Sequence, residues 1–183
     1  MTSGRGCQTR AGVLMHTLVR VGKGVHVFGS KDHGKSWQLM NKTPMSPADE
    51  SKVIELADGR LMVNARVNGG YGTRHVHISE DGGKTWIGWR ENQLVDPGCN
   101  GTVIRYTSKA DGYQKNRLLF SNASSAKERK NLAVRISYDE GKTWSEGKVI
   151  TTGTAMYSDL TICSDGSIGI LYEPGDGVRF TSI

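Results

Sequence analysis

The sequence predicts an all-β fold, a β-propeller with about four four-stranded blades. One phrase, S-x-D-x-G-K-S/T-W, occurs at residues 30–37, 79–86 and 137–144. A period of about 50 to 60 residues indicates blades or similar arrays rather than one irregular core. The 24 glycines and 4 prolines in 183 residues suit short strands joined by glycine turns, and no segment has the pattern of a long amphipathic helix. Residues 1–183 are therefore predicted to form one domain.

The repeated phrase has the chemistry of a tight turn between two strands. Its aspartate can accept a hydrogen bond from the backbone two residues later, and its glycine adopts a positive φ at no steric cost. The terminal tryptophan is large and apolar, so we expect it to anchor the turn. These residues predict the fold and not a ligand site.

Runs of β-branched and aromatic residues, separated by turn signals, predict the remaining strands. Asp58-Gly59 is a two-residue hairpin signal between two of them. Segments 41–49, 94–101 and 109–116 are predicted loops, and 123–130 is predicted as a surface loop or one helical turn. The predicted strands are 13–21, 24–28, 51–56, 61–67, 74–78, 102–106, 117–121, 132–136, 158–163, 168–172 and 177–183.

Charge and composition restrict the class of partner. The net charge of +6 and the pI near 9.3 favour an acidic partner. The densest basic cluster, Lys127, Arg129 and Lys130, has no interleaved aromatic residues and is a poor nucleic-acid site. An acidic small molecule fits better. Three widely spaced cysteines indicate neither a zinc site nor a complete disulfide framework, so the compartment stays undetermined. No segment reaches the length of about 18 apolar residues that a membrane span needs.

Several segments in order resemble the C-terminal portion of the catalytic propeller of the sialidase (neuraminidase) family. The three repeated turns are similar to that family's Asp boxes. More specific matches are residues 49–66, 118–122, 129–132, 157–160 and 165–173. The resemblance implies a partial propeller of the sialidase type, with about four of six blades.

The resemblance also implies functional residues. Tyr157 stands where the family carries its nucleophilic tyrosine, and Glu50 where it carries the glutamate that accepts the phenolic proton. Arg66 and Arg129 stand at two positions of the arginine triad that binds the carboxylate of sialic acid. Guanidinium groups bind carboxylates bidentately, and a neutral phenol avoids the repulsion that a carboxylate nucleophile would meet. Arg135 is close enough in sequence to compete with Arg129 for this assignment.

The expected function is exo-α-sialidase chemistry on glycans that carry sialic acid, with no metal or organic cofactor. In the family, the first triad arginine and the acid/base aspartate precede the segments matched here, so the chain alone is expected to be weak or inactive. Two alternatives are a non-catalytic sialoglycan-binding module and an Asp-box scaffold for protein contacts. An open four-blade arc also predicts self-association through exposed sheet edges.

Overall fold

The computed structural model describes residues 4–183, so the first three residues of the predicted domain lie outside it. Within these residues, the regular structure is β-strand except for one 3₁₀ turn at Lys109–Asp111. The strands form four antiparallel sheets in chain order, which we number as blades 1 to 4. The predicted all-β propeller arc of four blades is confirmed.

Each blade is an up-and-down meander of neighbouring strands. Blade 1 contains β1 (Cys7–Gln8), β2 (Leu14–Arg20), β3 (Gly24–Ser30) and β4 (Gln38–Leu39). Blade 2 contains β5 (Ser51–Glu55), β6 (Leu61–Ala65), β7 (Thr73–Ser79) and β8 (Ile87–Val95). Blade 3 contains β9 (Thr102–Thr107), β10 (Arg117–Ala123), β11 (Lys130–Ser137) and β12 (Lys148–Thr154). Blade 4 contains three described strands, β13 (Ser158–Ile162), β14 (Ile168–Tyr172) and β15 (Arg179–Ser182).

The prediction missed the outer strands. β8 and β12 are absent from the predicted set, and β8 extends to Val95, so the predicted loop 94–101 begins too early. Most residues of both strands are exposed. An outer strand without a buried face has no apolar alternation in its sequence, because neither of its faces packs fully on a neighbouring blade. Residues 123–130 contain no helical turn, since β10 extends to Ala123 and irregular backbone follows.

Each Asp box connects the third and fourth strands of blades 1, 2 and 3. In the second box, the Ser79 hydroxyl donates to Asp81 and accepts from the backbone N–H of Gly83, both at 2.8 Å. Asp81 in turn accepts from the backbone N–H and hydroxyl of Thr85, at 3.0 and 2.6 Å. Gly83 has φ +92°, a conformation that favours glycine. In the first and third boxes, the aspartate likewise accepts from the first serine and from the hydroxyl of the last serine or threonine, and that first serine accepts from the glycine N–H.

The tryptophans of the boxes anchor the turns unequally. Trp86 packs on the core between blades 1 and 2, and Trp144 packs on the core between blades 2 and 3. Trp37 is 46% exposed and contacts Phe28 at a ring distance of 5.2 Å. Its anchoring role was predicted too strongly, because its turn has no second described blade to pack against.

The hydrophobic core consists of three clusters, each between adjacent blades. The innermost strand β5 packs against β9, and β9 packs against β13. Because β5, β9 and β13 pack side by side, the residues at the start of blades 2, 3 and 4 lie near one another. Along residues 4–183, no helix is long or apolar enough to cross a membrane.

Candidate active site

The β5–β6 hairpin brings Glu50 and Arg66 together. The two residues continue its ladder beyond the strand ends: the backbone N–H of Arg66 donates to the Glu50 carbonyl at 2.9 Å, and the N–H of Asp49 donates to the Arg66 carbonyl at 2.9 Å. Their side chains therefore project on the same side. Nη1 of Arg66 donates to Oε2 of Glu50 in an ion pair, and Glu50 is buried.

Tyr157 approaches this pair from blade 4. It immediately precedes β13, and its carbonyl accepts from the backbone N–H of Glu173 at 3.0 Å. Its hydroxyl donates to Oε1 of Glu50 at 2.6 Å. Nη1 of Arg66 donates to the same phenolic oxygen at 3.3 Å. Glu50, Arg66 and Tyr157 therefore form one closed set of contacts, although Glu50 and Arg66 belong to blade 2 and Tyr157 to blade 4.

Arg129 lies over the aromatic ring of Tyr157. The Arg129 carbonyl accepts from the backbone N–H of Ala155 at 2.9 Å, which ties the loop before β11 to the segment before β13. The guanidinium carbon of Arg129 lies 6.0 Å from the centroid of the Tyr157 ring. Arg129 is exposed, so its guanidinium is accessible to an anion. Arg135 instead donates to Ser124 at 2.8 Å inside blade 3; of the two competing arginines, it is Arg129 that contacts Tyr157.

The electrostatics of the site keep Tyr157 protonated. Burial raises the pKa of Tyr157 first, and the hydrogen bond and negative charge of Glu50 raise it further, whereas Arg66 lowers it. By the opposite-charge rule, a nearby arginine favours the phenolate. Arg66 acts in that direction, but burial and Glu50 outweigh it in this structure. Burial opposes the charge of Arg66, yet the hydrogen bond and charge of Glu50 outweigh burial and raise the pKa of Arg66.

Two further residues of this group were not predicted as site residues. Nη2 of Arg66 donates to Oδ1 of Asn68 at 2.7 Å, and Nδ2 of Asn68 donates to Asp49. Asp49 also accepts from the backbone N–H of Glu50 at 2.7 Å. Asn68 begins an Asn-Gly-Gly segment that the sequence marks only as a turn, so nothing local indicates its contact with Arg66.

This arrangement brings a phenol, a carboxylate and positive charge together at one place. The phenolic oxygen of Tyr157 is within hydrogen-bond distance of a carboxylate that could accept its proton. The two guanidiniums beside it favour an anionic ligand. Among the described residues, no group of three histidine, cysteine, aspartate or glutamate side chains could hold a metal ion.

Fold and site together define a β-propeller with Asp-box repeats and a hydrogen-bonded tyrosine–glutamate pair. A family model described as a BNR repeat-like domain matches residues 3–170. The sialidase of Micromonospora viridifaciens is 36% identical over 192 residues, which cover 98% of this chain and 29% of that protein. The sialidase of Bacteroides fragilis is 36% identical over 152 residues, which cover 80% of this chain and 28% of that protein. The chain belongs to the sialidase family with BNR repeats.

Solved structures agree with this assignment. A Hadza microbial sialidase superposes with a TM-score of 0.86 at 31% identity, over 98% of this chain and 36% of that one. A leech intramolecular trans-sialidase, solved with 2,7-anhydro-Neu5Ac, superposes with a TM-score of 0.75 at 25% identity, over 97% of this chain and 30% of that one. The chain thus spans about a third of the length of these relatives.

Proposed function

We propose that the chain contributes the nucleophile, its proton acceptor and two carboxylate-binding arginines to an exo-α-sialidase site. The substrates would be glycans that end in sialic acid. The observation that supports this most strongly is the 2.6 Å hydrogen bond from Tyr157 to Glu50, with Arg66 and Arg129 beside the phenol. A sialidase is the glycosidase class in which tyrosine replaces the usual carboxylate nucleophile.

In the proposed reaction, the Tyr157 oxygen attacks the anomeric carbon while the glycosidic C–O bond breaks. The phenolic proton passes to Glu50, and the leaving oxygen takes a proton from an acid group or from water. Water then attacks the anomeric carbon while the bond from that carbon to the Tyr157 oxygen breaks, and Glu50 returns the phenolic proton to Tyr157. The proton that the attacking water loses replaces the one taken up by the leaving oxygen, and the two displacements give net retention of configuration. Because Tyr157 is protonated at rest, proton transfer to Glu50 must accompany the attack.

Arg129 and Arg66 would play different parts in binding the carboxylate of the substrate. Arg129 is exposed and contacts only the aromatic face of Tyr157 among the side-chain contacts described above. Arg66 already donates to Glu50, Tyr157 and Asn68. Nη2 of Arg66 carries two N–H groups, and one of them donates to Asn68, so the other can bind a carboxylate. Arg66 would therefore orient the catalytic pair as well as bind substrate.

The 183 residues alone are expected to turn over substrate slowly or not at all. None of their aspartates is assigned to protonate the leaving oxygen, and loss of a positioned proton donor costs about 10²- to 10⁴-fold in rate. The test is hydrolysis of a fluorogenic sialoside by the chain and by its Tyr157→Phe variant. Turnover that the variant abolishes supports the proposal, and turnover that survives it contradicts the nucleophile assignment.

If neither protein turns over substrate, a ligand-binding measurement separates the two non-catalytic alternatives. A rise in melting temperature on addition of free sialic acid or its 2,3-dehydro analogue would favour a sialoglycan-binding module. The accessible guanidinium of Arg129 is the feature that supports this alternative. No response to either compound would favour an Asp-box scaffold for protein contacts.

A further inference from the structure

A buried lysine lies next to the candidate site along strand β5. Lys52 is two residues after Glu50 on β5, and its side chain is 1% exposed. Nζ of Lys52 donates to Oδ1 of Asn100 at 2.9 Å. Burial lowers the pKa of Lys52 to about 8. A buried ammonium carries a large desolvation cost unless it has a polar partner, and Asn100 provides one.

The hydrogen bonds continue from Asn100 to the residue after Tyr157. Nδ2 of Asn100 donates to the carbonyl of Ser158 at 3.3 Å. The hydroxyl of Thr102 donates to the same carbonyl at 2.9 Å. The Ser158 hydroxyl is 3.0 Å from the hydroxyl of Ser121 on β10. All of these side chains are buried, so water cannot readily replace their hydrogen bonds.

We propose that Lys52, Asn100 and Ser158 form a positioning chain that sets the separation of Glu50 and Tyr157. It joins three blades, because Lys52 lies on β5, Asn100 precedes β9 and Ser158 begins β13. The Tyr157–Glu50 hydrogen bond joins the outer two of these blades one or two residues away. Two bridges thus connect the same pair of strands. The fully buried bridge through Asn100 fixes the distance across which the part-buried hydrogen bond from Tyr157 to Glu50 forms.

The opposite side of Tyr157 is fixed as well. Its carbonyl accepts from the N–H of Glu173, the residue after β14. The next carbonyl, that of Ser158, accepts from Asn100 and Thr102, so the two peptides that follow Tyr157 are both held. Only the side chain of Tyr157 is left to adjust. A displacement of about 1 Å at a reacting group can reduce a rate about 100-fold, so the position of these peptides matters for the proposed chemistry.

The test compares Asn100→Ala and Thr102→Val with Asn41→Ala. Asn41 is a matched control because it is also a buried asparagine that holds backbone groups, but in blade 1 and away from Tyr157. The readout is the pKa of Tyr157, obtained by ultraviolet difference titration of each protein against the same protein with Tyr157→Phe. Thr102→Val keeps the test possible if Asn100→Ala does not fold.

We expect all three substitutions to lower the melting temperature. Only Asn100→Ala and Thr102→Val should lower the pKa of Tyr157 toward its ordinary value, because the phenol then moves away from Glu50. An unchanged pKa of Tyr157 in both variants would overturn the proposal and leave the chain of hydrogen bonds a stability feature. The same conclusion follows if Asn41→Ala lowers that pKa equally.

The proposal concerns the site of the proposed function, but its readout does not require turnover. If the pKa of Tyr157 responds while no sialoside is hydrolysed or bound, the positioning chain stands and the proposed function fails. In a preparation that hydrolyses substrate, we further expect Asn100→Ala to reduce kcat about 100-fold and to change KM little. A change in KM alone, with kcat retained, would contradict a positioning role for Asn100.

Discussion

The Tyr157 hydroxyl lies 2.6 Å from Oε1 of Glu50, although 107 positions separate the two residues in the chain. This contact depends on the packing of blades 2, 3 and 4, since Glu50 precedes β5 and Tyr157 precedes β13. It makes Glu50 the immediate acceptor for the phenolic proton. The same carboxylate is paired with Arg66, so Glu50 connects Tyr157, the proposed nucleophile, to the positive charge of Arg66.

Glu50→Gln should lower the pKa of Tyr157. The substitution keeps the size of the side chain but removes the negative charge that raises this pKa, while the contribution of burial remains. In a preparation with measurable hydrolysis, it should also reduce kcat about 10²- to 10⁴-fold, as expected for loss of a proton acceptor. Ultraviolet difference titration and initial rates measure the two effects. Glu91→Gln, at a buried glutamate on β8, is the control and should change neither.

Ser79→Ala should reduce the free energy of unfolding by about 1 to 3 kcal/mol, the cost of leaving a buried donor unsatisfied. The Ser79 hydroxyl accepts from the buried N–H of Gly83, and alanine cannot. Thr85→Val in the same Asp box removes an exposed hydroxyl, which water can replace, so its effect should be smaller. Urea unfolding compares the two variants. Equal losses would contradict the view that the turn is held mainly through its serine.

Acid should destabilise the protein partly through His77. Burial first, and then the neighbouring His75, lower the pKa of His77 to about 4, from 6.5. The contribution to stability is therefore present above pH 6.5 and is lost as the pH falls through about 4. One pKa unit corresponds to about 1.4 kcal/mol, so roughly 3 kcal/mol is at stake.

Replacing His77 by glutamine should flatten the decline in melting temperature between pH 6.5 and pH 4. His33→Asn, at an exposed histidine of the first Asp box with φ +59°, is the control and should leave the decline unchanged. Asparagine suits this left-handed conformation. A decline that is as steep in His77→Gln as in the parent protein would assign the acid sensitivity to other groups.

Self-association through blade 4 is a further prediction. The outermost described strand of this blade, β15, carries Phe180 with 61% exposure, next to Val178 with 64%. An unpaired edge with exposed apolar side chains favours pairing with another chain. Sedimentation of the 183-residue chain should show mass that rises with concentration. Phe180→Ser should weaken that dependence, and a parent chain that stays monomeric at every concentration would refute the prediction.

Much of the fold was accessible from the sequence because Asp boxes and Asp58-Gly59 fix turns by local chemistry. β14, predicted at 168–172, has the same bounds in the structure. Strands β8 and β12 were missed because exposed outer strands lack an apolar pattern. Trp37 shows a related limit, since its local context resembles that of Trp86 but its packing depends on which blade lies alongside.

The candidate site was accessible only through resemblance. Composition and spacing alone give no reason to place Tyr157 beside Glu50 or Arg66. Asn68 and Lys52 were missed as site residues because their roles depend on partners in other segments. Lys52 in particular occupies an interior position of β5, where an unpaired lysine would be unfavourable, and only the fold brings Asn100 to it.

The proposed site is tested most directly by the binding of the 2,3-dehydro analogue of sialic acid to the 183-residue chain, measured by isothermal titration calorimetry. We expect saturable binding of one molecule per chain. Arg129→Met should weaken it about 10- to 100-fold, as expected for loss of hydrogen bonds to a charged group, while Arg135→Met should weaken it less. No binding by the parent chain, or equal binding by the parent and the Arg129→Met variant, would contradict the claim that Tyr157, Glu50 and the two arginines form a pocket for an acidic sugar.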